Sequence, residues 1–162
     1  MAKQYWIGDV LDGSHDDGVV DLCGWVHRTR GSNKIRFLVL RDSTGTLQCV
    51  IKRDAVDDEC FNALGDALIE SSIRVTGKVM KTDREHGYEL LVSSGIVVGA
   101  VNPASPFPIT ESAMAEADGG ETEFLLDNRH LYLRTGRMTK MLIVQLRRRL
   151  QEVYLIHNKT TM

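Results

Sequence analysis

Phe37 and Gln48 lie within a stretch whose residue types suit the holding of an unpaired nucleic-acid base. From Ile35 to Arg41 the side chains of an extended strand alternate, so Leu38 and Leu40 share one face while Phe37, Val39 and Arg41 share the other. From Thr46 to Lys52 the same rule sets Leu47, Cys49 and Ile51 against Thr46, Gln48 and Val50. With the Leu/Cys/Ile face in a core, Phe37 and Gln48 both point outward. The turn Asp42-Ser43-Thr44-Gly45 pairs residue 39 with 48 and 37 with 50, which makes Phe37 and Gln48 diagonal neighbours about 7–8 Å apart. A base stacked on an outward aromatic gains about 1–3 kcal/mol, and an amide, which both donates and accepts, can read its edge. Arg28, Arg30, Lys34 and Arg36 supply positive charge for the backbone of such a strand. Taken singly, each feature has a plainer reading: a strand phenylalanine in a core, and cations on a solvated face. Glu89, beside Leu90, reads by default as a solvent-facing strand residue.

The elements that must position these residues follow from the same patterning. Val19 to Arg30 predicts a first long strand, with Gly24 at its middle suggesting a bend or bulge. Ile35 to Arg41 is the second and Thr46 to Lys52 the third. Val56, Cys60, Leu64 and Leu68 recur every four residues, which predicts a helix over about 57–70. Ile73, Val75, Gly77 and Val79 alternate in a fourth strand, and Tyr88 to Val98 makes a fifth after the polar turn Lys81 to Gly87. The order is that of a mainly β chain built as an OB-fold, a five-stranded Greek-key barrel with one helix between its third and fourth strands. A split α+β sandwich shares the pattern.

All three prolines fall at 103, 106 and 108, and the following residues are small and acidic, so 103–123 reads as a Pro/Gly/acidic linker. The first domain is then 1–102. Beyond the linker, Met138, Leu142, Leu146 and Leu150 fall on one face of a C-terminal amphipathic helix, with Met141 and Val153 beside them. That face needs a partner in the barrel, in another chain or in a further domain.

The formal charge of −2 over 162 residues conceals segregation, because residues 24–53 carry seven Lys/Arg against one Asp while acidic blocks flank them. No run approaches the roughly 20 apolar residues of a membrane span, and the N-terminus lacks the apolar core of a signal peptide, so no membrane partner and a cytoplasmic location are expected. Cys23, Cys49 and Cys60 form no C-x-x-C pair and read as buried free thiols, and the five histidines have no ligand spacing, so no metal site is expected.

The run Gly24-Trp25-Val26-His27-Arg28-Thr29-Arg30, then Phe37-Leu38-Val39-Leu40-Arg41-Asp42, Gly45, Leu47-Gln48 and Val75-Thr76-Gly77, resembles the N-terminal anticodon-binding domain of the class IIb aminoacyl-tRNA synthetases, the Asp, Asn and Lys enzymes. Phe107-Pro108-Ile109 and the segment Leu125 to Arg134 look most like asparaginyl-tRNA synthetases of the archaeal or eukaryotic kind; aspartyl enzymes tend to have Asp-Leu-Arg where this chain has Tyr132-Leu133-Arg134. The resemblance covers about residues 8–154.

By that resemblance, Phe37 is the platform for the central anticodon base, U35, and Gln48 its reader. Arg30 matches an arginine at the anticodon, Arg28 a phosphate contact, and Glu89 a strand-five glutamate associated with position 34. The resemblance implies tRNA(Asn) as partner, and ATP, magnesium and asparagine as requirements of a homodimeric full-length parent; no cofactor is expected in this chain. Residues 124–162 resemble the start of the class II catalytic domain, with motif 1 incomplete because Ile156 to Met162 contains no proline, and motifs 2 and 3 have nothing to map onto. The chain alone is thus expected to recognise tRNA without activating an amino acid. Competing readings are an aspartyl-tRNA synthetase domain, a free-standing OB-fold that binds single strands, and a protein-interaction module using the exposed helix.

Overall fold

A computed structural model describes residues 4–82, 87–110, 121–132 and 143–151. The chain forms two compact units, Met1–Phe107 and Pro108–Met162. Among the described residues, the first contains six strands: β1 (Gln4–Tyr5), β2 (Val19–Gly31), β3 (Ile35–Arg41), β4 (Thr46–Lys52), β5 (Ser72–Lys81) and β6 (Tyr88–Gly99). They hydrogen-bond in the order β1-β2-β3-β4-β6-β5, and β5 returns to β2. Strands β2 to β6 therefore close into the five-stranded OB barrel that the sequence predicts. Every barrel pair is antiparallel except β4 with β6, which run parallel because the chain between them crosses the barrel through a helix.

Alternation fills the interior as expected. Leu38 and Leu40 of β3, Leu47, Cys49 and Ile51 of β4, and Leu90 and Val92 of β6 are all buried. Val20, Leu22 and Val26 of β2 meet Ile73, Val75 and Val79 of β5 in the same core. β2 is long enough to serve two neighbours: residues up to Trp25 pair with β5 and residues from Trp25 onward pair with β3. At that crossing a Cβ on Gly24 would stand 2.5 Å from the Arg41 carbonyl oxygen, so only glycine fits. A bend or bulge is expected at Gly24; the bulge of β2 lies at His27, where the β2–β3 register slips between Val26 and Arg28.

Two helices close opposite ends of the barrel. α2 (Asp58–Gly65) is the helix expected between the third and fourth barrel strands, and Asp57 caps it by accepting from the Cys60 N–H at 2.6 Å. It is shorter than the 57–70 predicted. Cys60, Phe61 and Leu64 are buried, whereas Leu68, although it continues the periodicity, lies beyond the helix in the segment that turns into β5. That turn places Glu70 at φ 70°, with its N–H on the Val26 carbonyl and its carboxylate 2.6 Å from Arg41. α1 (Ile7–Leu11) seals the other end with the fully buried Ile7 and Val10. Neither α1 nor β1, which runs parallel to β2, is foreseen by the strand pattern.

The second unit contains α3 (Glu121–Asp127), α4 (Arg129–Tyr132) and helical residues 143–151. Of the predicted C-terminal stripe, Leu146 and Leu150 lie on described helix and are exposed, together with Ile143 and Val144. Met138, Met141, Leu142 and Val153 lie outside the described residues. Among the described residues no helix is long and apolar enough to cross a membrane.

Candidate nucleic-acid interface

The hairpin β3–β4 has the register set by its turn: Val39 pairs with Gln48 and Phe37 with Val50. The turn is held by Asp42, whose carboxylate accepts from the N–H of Thr44 at 2.6 Å and of Gly45 at 2.9 Å. The same carboxylate accepts the Ile7 N–H at 2.8 Å, and the Thr44 hydroxyl accepts the Gly8 N–H at 2.8 Å. The turn that fixes the hairpin register thus also caps α1.

Outward side chains line up in two adjacent rows across four strands. One row runs Arg28, Val39, Gln48, Glu89, and the next begins Arg30, Phe37, Val50, Leu91. The His27 bulge creates this alignment on the β2 side. Val26 points into the core, so uninterrupted alternation would send Arg28 and Arg30 inward; the extra residue reverses the phase and puts both on the face of Phe37. A valine and two arginines at positions of the same parity were the sequence signal for it.

Within these rows the side chains touch. The Arg30 guanidinium lies over the half-buried Phe37 ring, 5.3 Å from its centroid, and donates through Nη2 to the Gln48 Oε1 at 3.4 Å. Gln48 donates through Nε2 to the Glu89 carboxylate at 2.8 Å. Arg30, Phe37, Gln48 and Glu89 are therefore one connected group on β2, β3, β4 and β6. Arg28 is exposed at the end of the first row, and Lys34 is exposed where the chain enters β3. Chemically, the group offers an apolar ring face bordered by a cation, an amide with a donor and an acceptor, and a carboxylate.

Arg36 does not join them. It has the parity of Leu38, not of Phe37, and at the end of β3 it reaches α2, donating to the Gly65 carbonyl at 3.1 Å and pairing with Asp66 at 3.5 Å. Its guanidinium also lies over the Phe61 ring, as does that of Arg53, which is held by Asp58 at 2.8 Å. A Cβ on Gly65 would come within 2.5 Å of the Arg36 Nε, so the helix ends on a glycine where the arginine passes. Counting cations along the sequence does not reveal that this one holds a helix to the barrel.

Elsewhere on the barrel one carboxylate and one guanidinium are bound up in structure. Asp21 is buried on β2, and Arg74 of β5 clasps it through Nε at 3.0 Å to each oxygen and through Nη2. That guanidinium holds the Asp21 carboxyl below its ordinary value of 3.8. All three cysteines are free; Cys49 and Cys60 are buried and Cys23 is half-buried, and burial pushes the Cys49 thiol up to about 12. Among the described residues no group of three or more His, Cys, Asp or Glu could hold a metal ion.

Comparison with known proteins agrees with this fold. The tRNA anticodon family, an OB-fold nucleic acid binding domain, matches residues 20–98. An asparagine–tRNA ligase of Thermoplasma acidophilum is 36% identical over 141 residues, 86% of this chain and 30% of the relative. The crystal structure of asparaginyl-tRNA synthetase from Pyrococcus horikoshii matches with a TM-score of 0.71 and 33% identity, over 94% of this chain and 36% of that one. Aspartyl-tRNA synthetase from Entamoeba histolytica matches with a TM-score of 0.78 over 98% of this chain and 38% of that one, but at 21% identity it shows the fold alone. The chain thus spans about a third of the length of the proteins it resembles.

Proposed function

Because this chain belongs, through residues 20–98, to the tRNA anticodon family of OB-fold nucleic acid binding domains and has the anticodon-binding domain of the asparaginyl-tRNA synthetase kind, we propose that it recognises the anticodon loop of tRNA(Asn). The central base, U35, stacks on Phe37 and is read by Gln48. Arg30 borders the stacked base, Arg28 and Lys34 meet the phosphates, and Glu89 faces the neighbouring anticodon position. The observation that carries this reading is the connected group Arg30, Phe37, Gln48 and Glu89 on one outer face. A stacking ring, a cation and an edge-reading amide are the parts a single-stranded base requires.

The parent enzyme in this reading is a homodimeric asparagine–tRNA ligase of the cytoplasm that uses ATP, magnesium and asparagine to charge tRNA(Asn). In this reading the barrel serves recognition, and no step of amino-acid activation is assigned to the described residues. An aspartyl enzyme has less support, since its likeness is at 21% identity.

The test is a titration of the chain with anticodon stem-loops bearing U or C at position 35. Tighter binding of the U35 loop supports the reading. Equal affinity for the two loops would overturn the roles of Phe37 and Gln48.

A further inference from the structure

Gln48 lies between two partners of fixed and opposite hydrogen-bonding sense. Its Nε2 is 2.8 Å from the carboxylate of Glu89, and its Oε1 is 3.4 Å from the guanidinium of Arg30. A carboxylate oxygen accepts and a guanidinium only donates. Resting on the reading of Gln48 as the base reader, we propose that Glu89 is a positioning residue. It fixes which end of the Gln48 amide is donor and which is acceptor, and so makes the site select uracil over cytosine.

The reason is that an amide is nearly symmetric in shape. An outward glutamine with no such partners turns over about its last torsion at little cost, and then offers either an oxygen or an N–H to the same point in space. It therefore cannot tell a ring donor from a ring acceptor. Here the reversed amide would set its NH2 group against Arg30 and its oxygen against Glu89, so two attractive contacts become two repulsive ones. After both partners are served, one N–H of Nε2 and one lone pair of Oε1 remain, in a fixed order along the row.

Phe37 pairs across the ladder with Arg30, so a base stacked on its ring meets the Oε1 end of the amide. Uracil presents its N3–H there. Cytosine presents an unprotonated N3, an acceptor opposed to an acceptor, and a buried or half-buried polar group left unpaired is what makes discrimination strong. The alignment depends on the barrel, because Glu89 pairs directly with Gln48 only through the parallel β4–β6 ladder.

The experiment uses the full chain and two anticodon stem-loops that differ only in U or C at position 35. Binding is measured for the native chain, for Glu89→Gln, whose amide either donates or accepts, and for Glu89→Asp, which stays an acceptor. The native chain prefers the U loop; Glu89→Gln lowers that preference about tenfold, with most of the change a gain for the C loop, and Glu89→Asp restores part of it. In parallel, the side-chain amide protons of Gln48 are followed by NMR without RNA. The expected result is one proton shifted downfield and slow to exchange in the native chain, and averaged in Glu89→Gln. An unchanged U-to-C ratio in Glu89→Gln, with lost discrimination at the neighbouring anticodon position, overturns the proposal while leaving Gln48 as reader. If the native chain itself has no U-to-C preference, the function proposed above fails, whatever Glu89 does. Should Glu89→Gln not fold, rapid exchange of both Gln48 amide protons in the native chain is the overturning result.

Discussion

Two residues of β3, Phe37 and Arg36, are adjacent in sequence and opposite in consequence. Phe37 is half-buried on the outer face beside Arg30, and Arg36 is spent on the Gly65 carbonyl, Asp66 and the Phe61 ring. Phe37→Ala should therefore weaken binding of the U35 stem-loop by about 1–3 kcal/mol while shifting the unfolding temperature little. Arg36→Ala should do the reverse, costing about 1–3 kcal/mol of stability because it removes a charged donor from a helix-end carbonyl and a cation from an aromatic face. Stem-loop titration and thermal unfolding of the two variants, run side by side, check both statements. Two arginines of similar sequence context are thereby separated: Arg30 contributes to recognition in the proposed function, and Arg36 attaches α2.

At the scale of elements, the β3–β4 turn has two tasks. Asp42 closes the hairpin and accepts the first N–H of α1. A helix of five residues has few internal hydrogen bonds, so its docking depends on that cap and on the buried Ile7 and Val10. Asp42→Ala should cost about 1–2 kcal/mol, and hydrogen exchange should show the loss first in residues 7–12. The bulge in β2 is the other device at this scale. It changes no residue type, yet it decides whether two arginines face outward or into the core.

Across the whole molecule, charge has two uses that respond differently to solution conditions. The Asp21–Arg74 clasp is buried on its acidic side, and its carboxyl titrates below 3.8 when folded. A carboxyl held low in the folded state contributes stability that is present above the unfolded value and is lost as pH falls through the folded one. Unfolding measured from pH 6 downward should therefore show stability declining below about pH 4, and Asp21→Asn should be less stable at pH 6 with a flatter acid limb. In the proposed function the exposed cations act on RNA instead. Stem-loop affinity should fall linearly with the logarithm of salt concentration, and removing Arg28 or Lys34 should each lower the slope by roughly one phosphate contact. The formal charge of −2 says nothing of this, because the cations concentrated in residues 24–53 are offset by acidic segments elsewhere in the chain.

The sequence by itself determined which side of each strand meets the core, the β3–β4 register, the position of the helix between barrel strands, and Phe37 and Gln48 as outward neighbours. All of these depend on contacts within a few residues: the two-residue period is fixed by backbone geometry and the register by a short turn. Only the tertiary structure decided that Glu89 stands beside Gln48, that Arg36 turns to α2, and that α1 caps the far end. Those outcomes depend on closing the barrel, which brings together segments as far apart as residues 48 and 89. Pairing of that range is set by the sum of all strand registers and the fit of the whole core, so no local window of the chain contains it.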